Sequence, residues 1–480
     1  MKKVNLLLII AVVLTLVLSA CAPAAEPEPP AEEPEEEAEP VEPEEEEEPA
    51  EPEEQEEVEE PEEPEEVVEA APFEGVTVQF WHVYSDEPGE ALQALVDEFN
   101  DVNEYGITVE GLNQGNYSDI EDKINAGIQS GDLPDVVMAY TNALADWYSV
   151  DSVVDLNPYI NDPEYGLTEA QMNDLYPYLK AAGSTPDGAW IAYPMTQSAN
   201  VLVYNFTWAE ELGFAEPPKT SAELEEQVCA AAEANNALGG DFAGTGGLVY
   251  YPSATNWLHF LYAFGGSELN EDGTAYDFTS QAAVDTSMYI LDLKEKGCIW
   301  QTESYPNPEQ AQRKALITMS STAGIPYYEA AFADEANDDV WGFIPAAGPD
   351  GTLAVDAFQQ MLGVIPSTED EHMASWLFIK WLTSPEIQAR WVRASGYYGT
   401  QVSTEALLAD YAAENPVWAT GVALAALGPS EPQTFPAWSS VRRTLGDTAA
   451  ELYNAADRAA VEAILATVTE TANDLVEEVQ

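Results

Sequence analysis

From residue 76 onward, the apolar positions of the chain follow two different spacings in turn. Residues 76–81, 107–111 and 136–138 are short apolar or alternating runs that are typical of strands. Residues 86–99 and 117–129 lie between these runs and repeat apolar positions at the spacing of an amphipathic helix. This succession predicts an α/β fold with a mainly parallel sheet. Ligands in such folds bind at the carboxyl ends of the strands, so the pattern directs attention to residues 81–84 and 140–142.

The remaining pattern continues this α/β character. Residues 189–205 predict two extended stretches around Pro194, which we interpret as a crossover between lobes. Further strands are predicted at 315–319, 341–345 and 360–366, and helices at 220–235, 281–296, 374–383, 385–395 and 445–479. The sequence contains no internal repeat and no glycine-rich phosphate loop.

The first 21 residues carry the features of an export signal. Lys2 and Lys3 precede an apolar run at 6–18, which is shorter than the roughly 20 residues of a membrane-spanning helix. The run ends in Leu-Ser-Ala-Cys, which resembles the bacterial lipobox, whose cysteine is lipidated. We expect residues 1–20 to be a lipoprotein signal peptide and Cys21 to anchor the protein to the outer face of the bacterial cell membrane. The alternative is an ordinary signal peptide with an incidental cysteine.

A long acidic segment follows the cysteine. Residues 22–72 contain 26 glutamates, 12 prolines and no lysine or arginine. Such a segment buries too little apolar surface to offset the entropy of ordering, and proline and charge repulsion keep it extended. We therefore interpret residues 21–72 as a disordered linker that holds a folded body away from the membrane. An acidic segment that binds cations or a partner is the alternative.

The body is acidic and large. Residues 73–480 hold 62 acidic and 13 basic residues. This balance argues against nucleic-acid binding and against binding to anionic lipid surfaces, both of which need a basic patch. About 408 residues exceed the usual size of a single core, which favours two or more lobes.

Cysteine and histidine are scarce in the body. Cys229 and Cys298 can form a disulfide in an exported protein, and two separate buried thiols are the alternative. The three histidines of the chain are scattered without the spacing of zinc ligands, so no metal and no other cofactor is expected.

Six segments together carry a family resemblance. They are SGDLPDVV (130–137), AYPMTQSANVLVYN (192–205), LGFAEPPKTSAEL (212–224), ALITMSSTAG (315–324), WGFIPAAGPDG (341–351) and SWLFIKWLTSPEIQARW (375–391). In this order they resemble the family 1 extracellular solute-binding proteins of ABC importers, the group with maltose- and glycerol-phosphate-binding proteins. The resemblance extends from about residue 75 to 475.

The resemblance implies a two-lobed fold of the periplasmic-binding-protein type. Each lobe would be a mainly parallel sheet flanked by helices, and hinge strands would join the lobes, which close on a ligand. We expect residues 73–195 and 319–366 to form lobe 1, and 196–318 and 367–480 to form lobe 2. The expected protein is a monomer that binds a carbohydrate and delivers it to an ABC permease with its ATPase, without chemistry on the ligand.

The family's ligand positions map onto loops and strand ends of this chain. The candidates are Trp81, His82, Tyr140, Thr141, Asn142, Gln197, Ser198, Tyr250, Tyr251, Trp257, Ser321, Thr322, Tyr397 and Trp438. Trp438 lies in FPAWSSVRR, where the family often places a stacking tryptophan. Several candidates have a structural alternative: Trp81 ends a buried strand, Trp257 follows a helical pattern, and one of Tyr250 and Tyr251 is expected to pack in the core.

One motif departs from the family pattern. Residues 395–402 read SGYYGTQV, without the proline and arginine that family members often carry after Gly-Tyr. Because an arginine clamp suits a phosphate, its absence favours a neutral carbohydrate, an oligosaccharide, over glycerol phosphate. Arg442 and Arg443, close behind Trp438, weaken this argument. Binding of a polyamine or a peptide, and an extracellular glycosidase with two facing carboxylates, are the other functions considered.

Overall fold

The computed structural model of the protein describes residues 71–302, 305–425, 427, 428 and 431–479. The signal peptide, Cys21 and nearly all of the acidic linker, all predicted from sequence, lie outside the described residues. The strands are β1 (Thr77–His82), β2 (Thr108–Asn113), β3 (Val136–Ala139), β4 (Tyr193–Asn205), β5 (Gly246–Val249), β6 (Ile299–Trp300), β7 (Ala315–Ser321), β8 (Trp341–Ile344), β9 (Ala346–Ala347), β10 (Leu353–Ala354) and β11 (Asp356–Val364).

The α-helices cover both faces of the main sheet and its ends. They are α1 (Asp86–Val102), α2 (Tyr117–Ser130), α3 (Thr141–Tyr148), α4 (Asn157–Ile160), α5 (Glu169–Asp174), α6 (Pro177–Ala182), α7 (Phe206–Glu211), α8 (Ser221–Leu238), α9 (Ala254–Ala263), α10 (Gln281–Glu295), α11 (Asn307–Ala311), α12 (Ile325–Asp334), α13 (Glu369–Leu382), α14 (Pro385–Ser395), α15 (Val402–Leu407), α16 (Ala409–Glu414), α17 (Pro416–Ala425), α18 (Trp438–Tyr453) and α19 (Arg458–Val479). None of the helices in the described part of the chain is long and apolar enough to span a membrane.

The main sheet has a parallel section at each end. Its order is β2-β1-β3-β11-β4-β7-β5-β6, and β8 also pairs with β4. Strands β2, β1 and β3 are parallel and form the N-terminal sheet half. Strands β7, β5 and β6 are parallel and form the C-terminal sheet half. The α/β fold predicted from the sequence is therefore confirmed; the sheet is parallel within each half and antiparallel where β4 and β11 pair with their neighbours.

Local sequence explains why the N-terminal sheet half forms. Helix α1 buries Leu92, Val96 and Phe99 along one face, as its apolar spacing predicts. Helix α2 begins with a capping box, in which the side chain of Asn116 accepts a hydrogen bond from the Asp119 amide and the Asp119 carboxylate accepts one from the Asn116 amide. Helix α1 connects β1 to β2, and helix α2 connects β2 to β3.

Strands β4 and β11 join the two sheet halves. They pair with each other in antiparallel register, β11 also pairs with β3, and β4 also pairs with β7. All thirteen residues of β4 are buried. The predicted break of this segment into two stretches around Pro194 is wrong, because Pro194 lies within β4 beside an irregularity of the ladder between Gln360 and Met361. Proline is tolerated in a sheet at such irregularities.

Helices α13 and α14 pack on the N-terminal sheet half. Phe378 of α13 contacts the rings of Phe80 and Phe99 at centroid distances of 5.4 and 5.3 Å. Arg390 of α14 pairs with Glu98 of α1 at 2.6 Å. The sequence analysis placed residues 367–395 in lobe 2, whereas these contacts place them with β1 and α1. The boundaries of the lobes as a whole stay a prediction.

The C-terminal sheet half contains a covalent link. Cys229 of α8 and Cys298, just before β6, form a disulfide across 69 residues of sequence. Helices α9, α18 and α19 share the surrounding core, in which Trp257, Trp438 and Leu465 are buried. The last two long helices therefore belong to this half of the sheet.

Candidate functional site

A cleft of about 600 Å³ lies over the middle of the main sheet. Its lining residues come from both sheet halves and from the joining strands: Tyr117, Ser118, Glu121, Tyr140, Asn142, Ser198, Asn200, Thr255, Ser321, Phe358, Gln360, Tyr397, Glu431, Gln433, Ser439, Arg442 and Arg443. We refer to these residues as the cleft. Its volume suits a small organic ligand.

The floor of the cleft comes from the two joining strands. Side chains two residues apart on a strand point to the same face, so Ser198 and Asn200 of β4 lie beside each other, as do Phe358 and Gln360 of β11. The register pairs Ser198 with Phe358. Hydroxyl, amide and aromatic groups therefore alternate across one surface.

One wall of the cleft is aromatic. The rings of Tyr117 and Tyr140 lie 4.4 Å apart between centroids, and Tyr140 lies 6.3 Å from Phe358. Tyr397 also lines the cleft, and its ring packs against buried Tyr84 at 5.8 Å. Burial raises the pKa of the Tyr140 hydroxyl above its ordinary value, so the group stays neutral. This wall presents flat apolar faces that carry hydroxyl groups at their edges.

A second wall is polar and comes from the start of α18 and the segment before it. Asn142 donates a hydrogen bond through Nδ2 to Oγ of Ser439 at 2.6 Å. The amide of Thr141 donates to Oε1 of Gln433 at 3.1 Å. These two bonds join α3, which follows β3, to residues near the C-terminus, so they fix one end of the cleft across the two sheet halves.

A buried ion pair supports the polar wall. Arg442 donates through Nε to both carboxylate oxygens of Glu431, at 2.9 and 2.7 Å, and through Nη2 to Oγ1 of Thr255 at 2.8 Å. Trp438 donates through Nε1 to Oε2 of Glu431 at 3.0 Å. Burial of Arg442 acts to lower its pKa, but the charge of Glu431 outweighs it, so the pKa lies above its ordinary value. The guanidinium is therefore held as a cation at the cleft surface.

Two acidic residues lie near the exposed Arg443. Glu121 lines the cleft and Asp146 lies close by; burial raises the pKa of each carboxyl, and the charge of Arg443 opposes the rise. Arg443 takes part in none of the ion pairs found among the described residues. The two acids and two arginines that line the cleft, Glu121, Glu431, Arg442 and Arg443, balance one another in formal charge.

The described residues contain no group of three or more histidine, cysteine, aspartate or glutamate side chains arranged to hold a metal ion. The cleft instead combines ring faces, hydroxyls, amides and fixed charges. Such a set of groups binds and orients a polar organic molecule.

Comparison with known proteins identifies the family. Residues 94–422 match the family described as bacterial extracellular solute-binding proteins. This chain belongs to that family. Members of the family bind solutes outside the cytoplasm, in agreement with the resemblance seen in the sequence.

Relatives and solved structures agree with this assignment. The sn-glycerol-3-phosphate-binding periplasmic protein UgpB of Yersinia enterocolitica is 23% identical over 338 residues, which cover 67% of this chain and 73% of the relative. The cyclic alpha-maltosyl-1,6-maltose binding protein of Arthrobacter globiformis has a TM-score of 0.70 and 20% identity, covering 84% of this chain and 99% of that one. UgpB of Mycobacterium tuberculosis in complex with glycerophosphocholine has a TM-score of 0.67 and 18% identity, covering 84% and 98%. At these identities the structures show the fold, which is the two-lobed α/β fold of solute-binding proteins.

Five of the fourteen candidates named from the sequence line the cleft of this solute-binding protein. They are Tyr140, Asn142, Ser198, Ser321 and Tyr397. Four of them lie at or beside a strand end or on a joining strand, and Tyr397 lies in the loop that follows α14.

Four other candidates are absent from the cleft lining, and each of their side chains is buried. His82 is buried, accepts a hydrogen bond from the Tyr84 amide at 3.3 Å, and has its pKa lowered to about 4 by burial. Gln197 bonds to Tyr178 and to the carbonyl of Gly399. Oγ1 of Thr322 accepts from the Ala199 amide, and Thr141 is fully buried. These groups hold the backbone around the cleft.

The remaining candidates do not line the cleft, because their rings pack in the core or face solvent. Trp81, Tyr250, Trp257 and Trp438 are buried: Trp257 donates to Oγ of Ser287, and Tyr250 stacks on Tyr453. Trp438, which we expected to stack on a ligand, stacks on Tyr276 and binds Glu431. Tyr251 is 66% exposed outside the cleft.

The sequence analysis did not name most of the charged and polar lining residues as ligand contacts. Asn200 was available from simple alternation, since it follows Ser198 by two positions in one strand. Glu121 follows Tyr117 by one helical turn, so the helix that presents the tyrosine also presents the acid. Phe358, Glu431 and Ser439 reach the cleft only through contacts between distant segments, for which the local sequence carries no signal.

Buried Glu268 predicts a specific dependence of stability on pH. Burial raises its pKa from 4.5 to about 7, and Tyr262 donates a hydrogen bond to it. A raised folded-state pKa gives stability that is complete below pH 4.5 and is lost as pH rises to about 7. Glu268→Gln removes this loss, so the variant should gain stability over wild type between pH 4.5 and pH 8, by on the order of 3 kcal/mol.

Urea unfolding of both proteins at pH 4.5, 6 and 8 measures this gain. Glu271→Gln, at an exposed position in the same loop, is the control and should show no pH-dependent gain. An unchanged difference between Glu268→Gln and wild type across the three pH values would contradict the prediction.

Proposed function

We propose that this solute-binding protein captures a carbohydrate, an oligosaccharide, in the cleft and delivers it unchanged to an ABC import permease with its ATPase. The combination of an aromatic wall and a polar wall in one cleft carries this proposal. The ring faces of Tyr117, Tyr140 and Tyr397 suit the apolar C–H surfaces of pyranose rings. The amides and hydroxyls of Asn142, Asn200 and other cleft residues suit sugar hydroxyls.

The charge of the cleft also favours a neutral ligand. Glu431 neutralises Arg442 through two short contacts, and the Glu431 carboxylate is 5% exposed. A guanidinium paired in this way donates hydrogen bonds to a hydroxyl but offers little net charge to a phosphate. The Arthrobacter structure named above is that of a maltosyl-maltose binding protein, which supports a maltose-type ligand.

A second candidate ligand is a phosphate ester such as glycerol phosphate. Arg443 favours it, because this arginine lines the cleft and lies outside the ion pairs of the described residues. The Yersinia relative named above carries glycerol 3-phosphate in its name. In this case Arg443 would hold the phosphate, and the aromatic wall would cover the glycerol carbons.

We also infer that the ligand leaves the cleft unaltered. A glycosidase needs one carboxyl group as an acid and a second as a base or nucleophile. Both oxygens of Glu431 accept hydrogen bonds from Arg442, and one also accepts from Trp438, so this group is committed to structure. Glu121 and Glu431 are the two carboxyl groups of the cleft lining, and Asp146, which lies near Glu121, is not part of that lining.

The membrane anchor is part of this proposal. Lipid on Cys21 would keep the protein, as a monomer, at the outer face of the cell membrane, and residues 21–72 would let the body reach the permease. A tether of this kind raises the local concentration of captured ligand beside its transporter. The support is the lipobox-like sequence and its position directly before the acidic segment.

Removal of one ring from the aromatic wall tests carbohydrate capture. Tyr140→Ala should weaken binding of maltotriose by about tenfold or more, because loss of a ring stack costs on the order of 1.5 kcal/mol. Tyr140→Phe keeps the ring and should stay within a few-fold of wild type. Isothermal titration calorimetry measures all three affinities.

Tyr251→Ala is the matched control for this test, since it removes an exposed tyrosine outside the cleft and should leave affinity unchanged. Equal affinity of Tyr140→Ala and wild type would overturn the assigned site. If no mono- or oligosaccharide in a panel binds or raises the melting temperature, the carbohydrate proposal fails.

Arg443→Gln separates the two candidate ligands. If glycerol 3-phosphate is the ligand, this change should weaken its binding about tenfold and reduce the salt dependence of binding, since one charge-assisted contact is lost. Maltotriose binding should change little. Arg458→Gln, which removes an arginine paired with Asp285 in the helical region, is the control and should affect neither ligand.

Cys21→Ser tests the anchor. Wild type expressed in a bacterium should partition into the detergent phase of a phase-separating detergent, and the variant should remain in the aqueous phase. The reason is that a lipid chain contributes about 0.8 kcal/mol per buried methylene group. Equal partitioning of the two proteins would exclude lipidation at Cys21.

A further inference from the structure

Three carboxyl groups and one guanidinium are packed together beneath one end of the cleft. Asp356, Glu431 and Glu268 are 0%, 5% and 4% exposed, and Arg442 is their partner cation. Only Glu431 and Arg442 reach the cleft surface. With all groups ionised, the cluster would carry an excess of negative charge away from water, which is costly. Such a cluster retains protons to reduce the charge.

Asp356 is the carboxyl group of this cluster that lacks hydrogen-bond partners among the described residues. It is the first residue of β11 and lies on the same strand face as the cleft residues Phe358 and Gln360, but it is buried and does not line the cleft. Its backbone pairs with Asn200, which lines the cleft. Neither carboxyl oxygen of Asp356 has a hydrogen-bond partner among the described residues, and the neighbouring acid is Glu431.

The hydrogen bonds decide which acid of the pair is ionised. Glu431 accepts from Arg442 and from Trp438, and such bonds stabilise a carboxylate. Asp356 receives no such bonds, and burial together with the charge of Glu431 raises its pKa well above its ordinary value. The proton of the pair therefore belongs on Asp356.

We propose that Asp356 is a positioning residue that makes ligand capture proton-linked. When protonated, it donates its proton toward Glu431 and leaves Glu431 to hold Arg442 against Thr255 at the cleft surface. When ionised, it repels Glu431 and competes for Arg442, which draws the guanidinium away from the cleft. Because the ligand contacts Arg442 in the position that the protonated form holds, binding favours the protonated form, and affinity falls as pH rises.

Other charged and titratable groups face the same cluster. Glu268 and Tyr262 approach it from the end of α9 and the loop beyond, and Glu431 and Arg442 from the segment before α18 and from α18 itself. Tyr140 lies close enough to sense both Glu431 and Arg442. Of these, Glu268 has a pKa of about 7, so its titration must be separated from that of Asp356.

The indole of Trp438 provides a direct probe, since its N–H donates to Glu431. In the full chain labelled with ¹⁵N-tryptophan, the Trp438 signal is assigned by its loss in Trp438→Phe and followed from pH 4 to pH 9. We expect an inflection with a midpoint well above pH 4 in wild type. It should remain in Glu268→Gln, which removes the other buried acid, and be absent from the double variant Glu268→Gln/Asp356→Asn.

A pH profile of affinity forms the second arm, and this arm rests on the proposed function. Binding of maltotriose and of glycerol 3-phosphate is measured at the two ends of the wild-type inflection. Wild type should lose about tenfold in affinity for the bound probe across it, the ratio that one pKa unit between free and bound protein produces. Asp356→Asn should bind equally at both pH values.

The outcomes are distinguishable. An absent inflection in Glu268→Gln, or an inflection that persists in the double variant Glu268→Gln/Asp356→Asn, overturns the proposal without any ligand being needed. Equal pH profiles of affinity for wild type and Asp356→Asn overturn the link to capture. If neither probe binds, the proposed function fails for these ligands, and the indole titration still decides whether Asp356 carries the proton.

Discussion

Strand β4 satisfies its backbone hydrogen bonds on both edges, and this pairing determines the position of almost everything else. One edge meets β11 along residues 193–200 and β8 along 202–205, and the other edge meets β7. An unpaired buried peptide group costs about as much as a lost hydrogen bond, so this ladder is strongly enforced. The ladder places the parallel strands β2, β1 and β3 on one side of β4 and β11 and the parallel strands β7, β5 and β6 on the other. Ser198 and Asn200 of β4 therefore lie in the middle of the sheet, where the cleft forms.

The cleft brings together two of the few basic residues of an acidic protein. The body holds 13 basic residues against 62 acids, yet Arg442 and Arg443 stand side by side on one helix turn at the cleft. Each faces acids that limit its reach: Glu431 holds the first, while Glu121 and Asp146 lie near the second. The same residues are thus compatible with binding of a sugar or of a phosphate ester. Which ligand binds more tightly depends on how strongly the neighbouring acids hold each arginine.

The elements that the sequence predicted well are those whose signal is local. Helix α2 has its apolar spacing and its capping box within fifteen residues, and its predicted start at Tyr117 is the observed one. Trp438 shows the opposite case. The local sequence of a tryptophan at the start of a helix is the same whether the ring contacts a ligand or, as here, Tyr276 and Glu431. Phe358 enters the cleft through strand pairing with Ser198, about 160 residues away in sequence, and Ser439 through a hydrogen bond to Asn142 across 297 residues, and no local pattern records either contact. The sequence therefore does not show which side chains distant segments bring together, or the direction in which those side chains point.

The disulfide makes the two sheet halves chemically unequal. Cys229 and Cys298 tie α8 to the strand edge of the C-terminal sheet half, whereas residues 71–205 contain no cysteine. The N-terminal half therefore has to reach its folded state by packing and hydrogen bonding alone. A mild reductant would break a bond in the C-terminal sheet half and leave the N-terminal half unchanged. The redox potential of the surroundings therefore affects the stability of the half that presents Arg442 and Arg443.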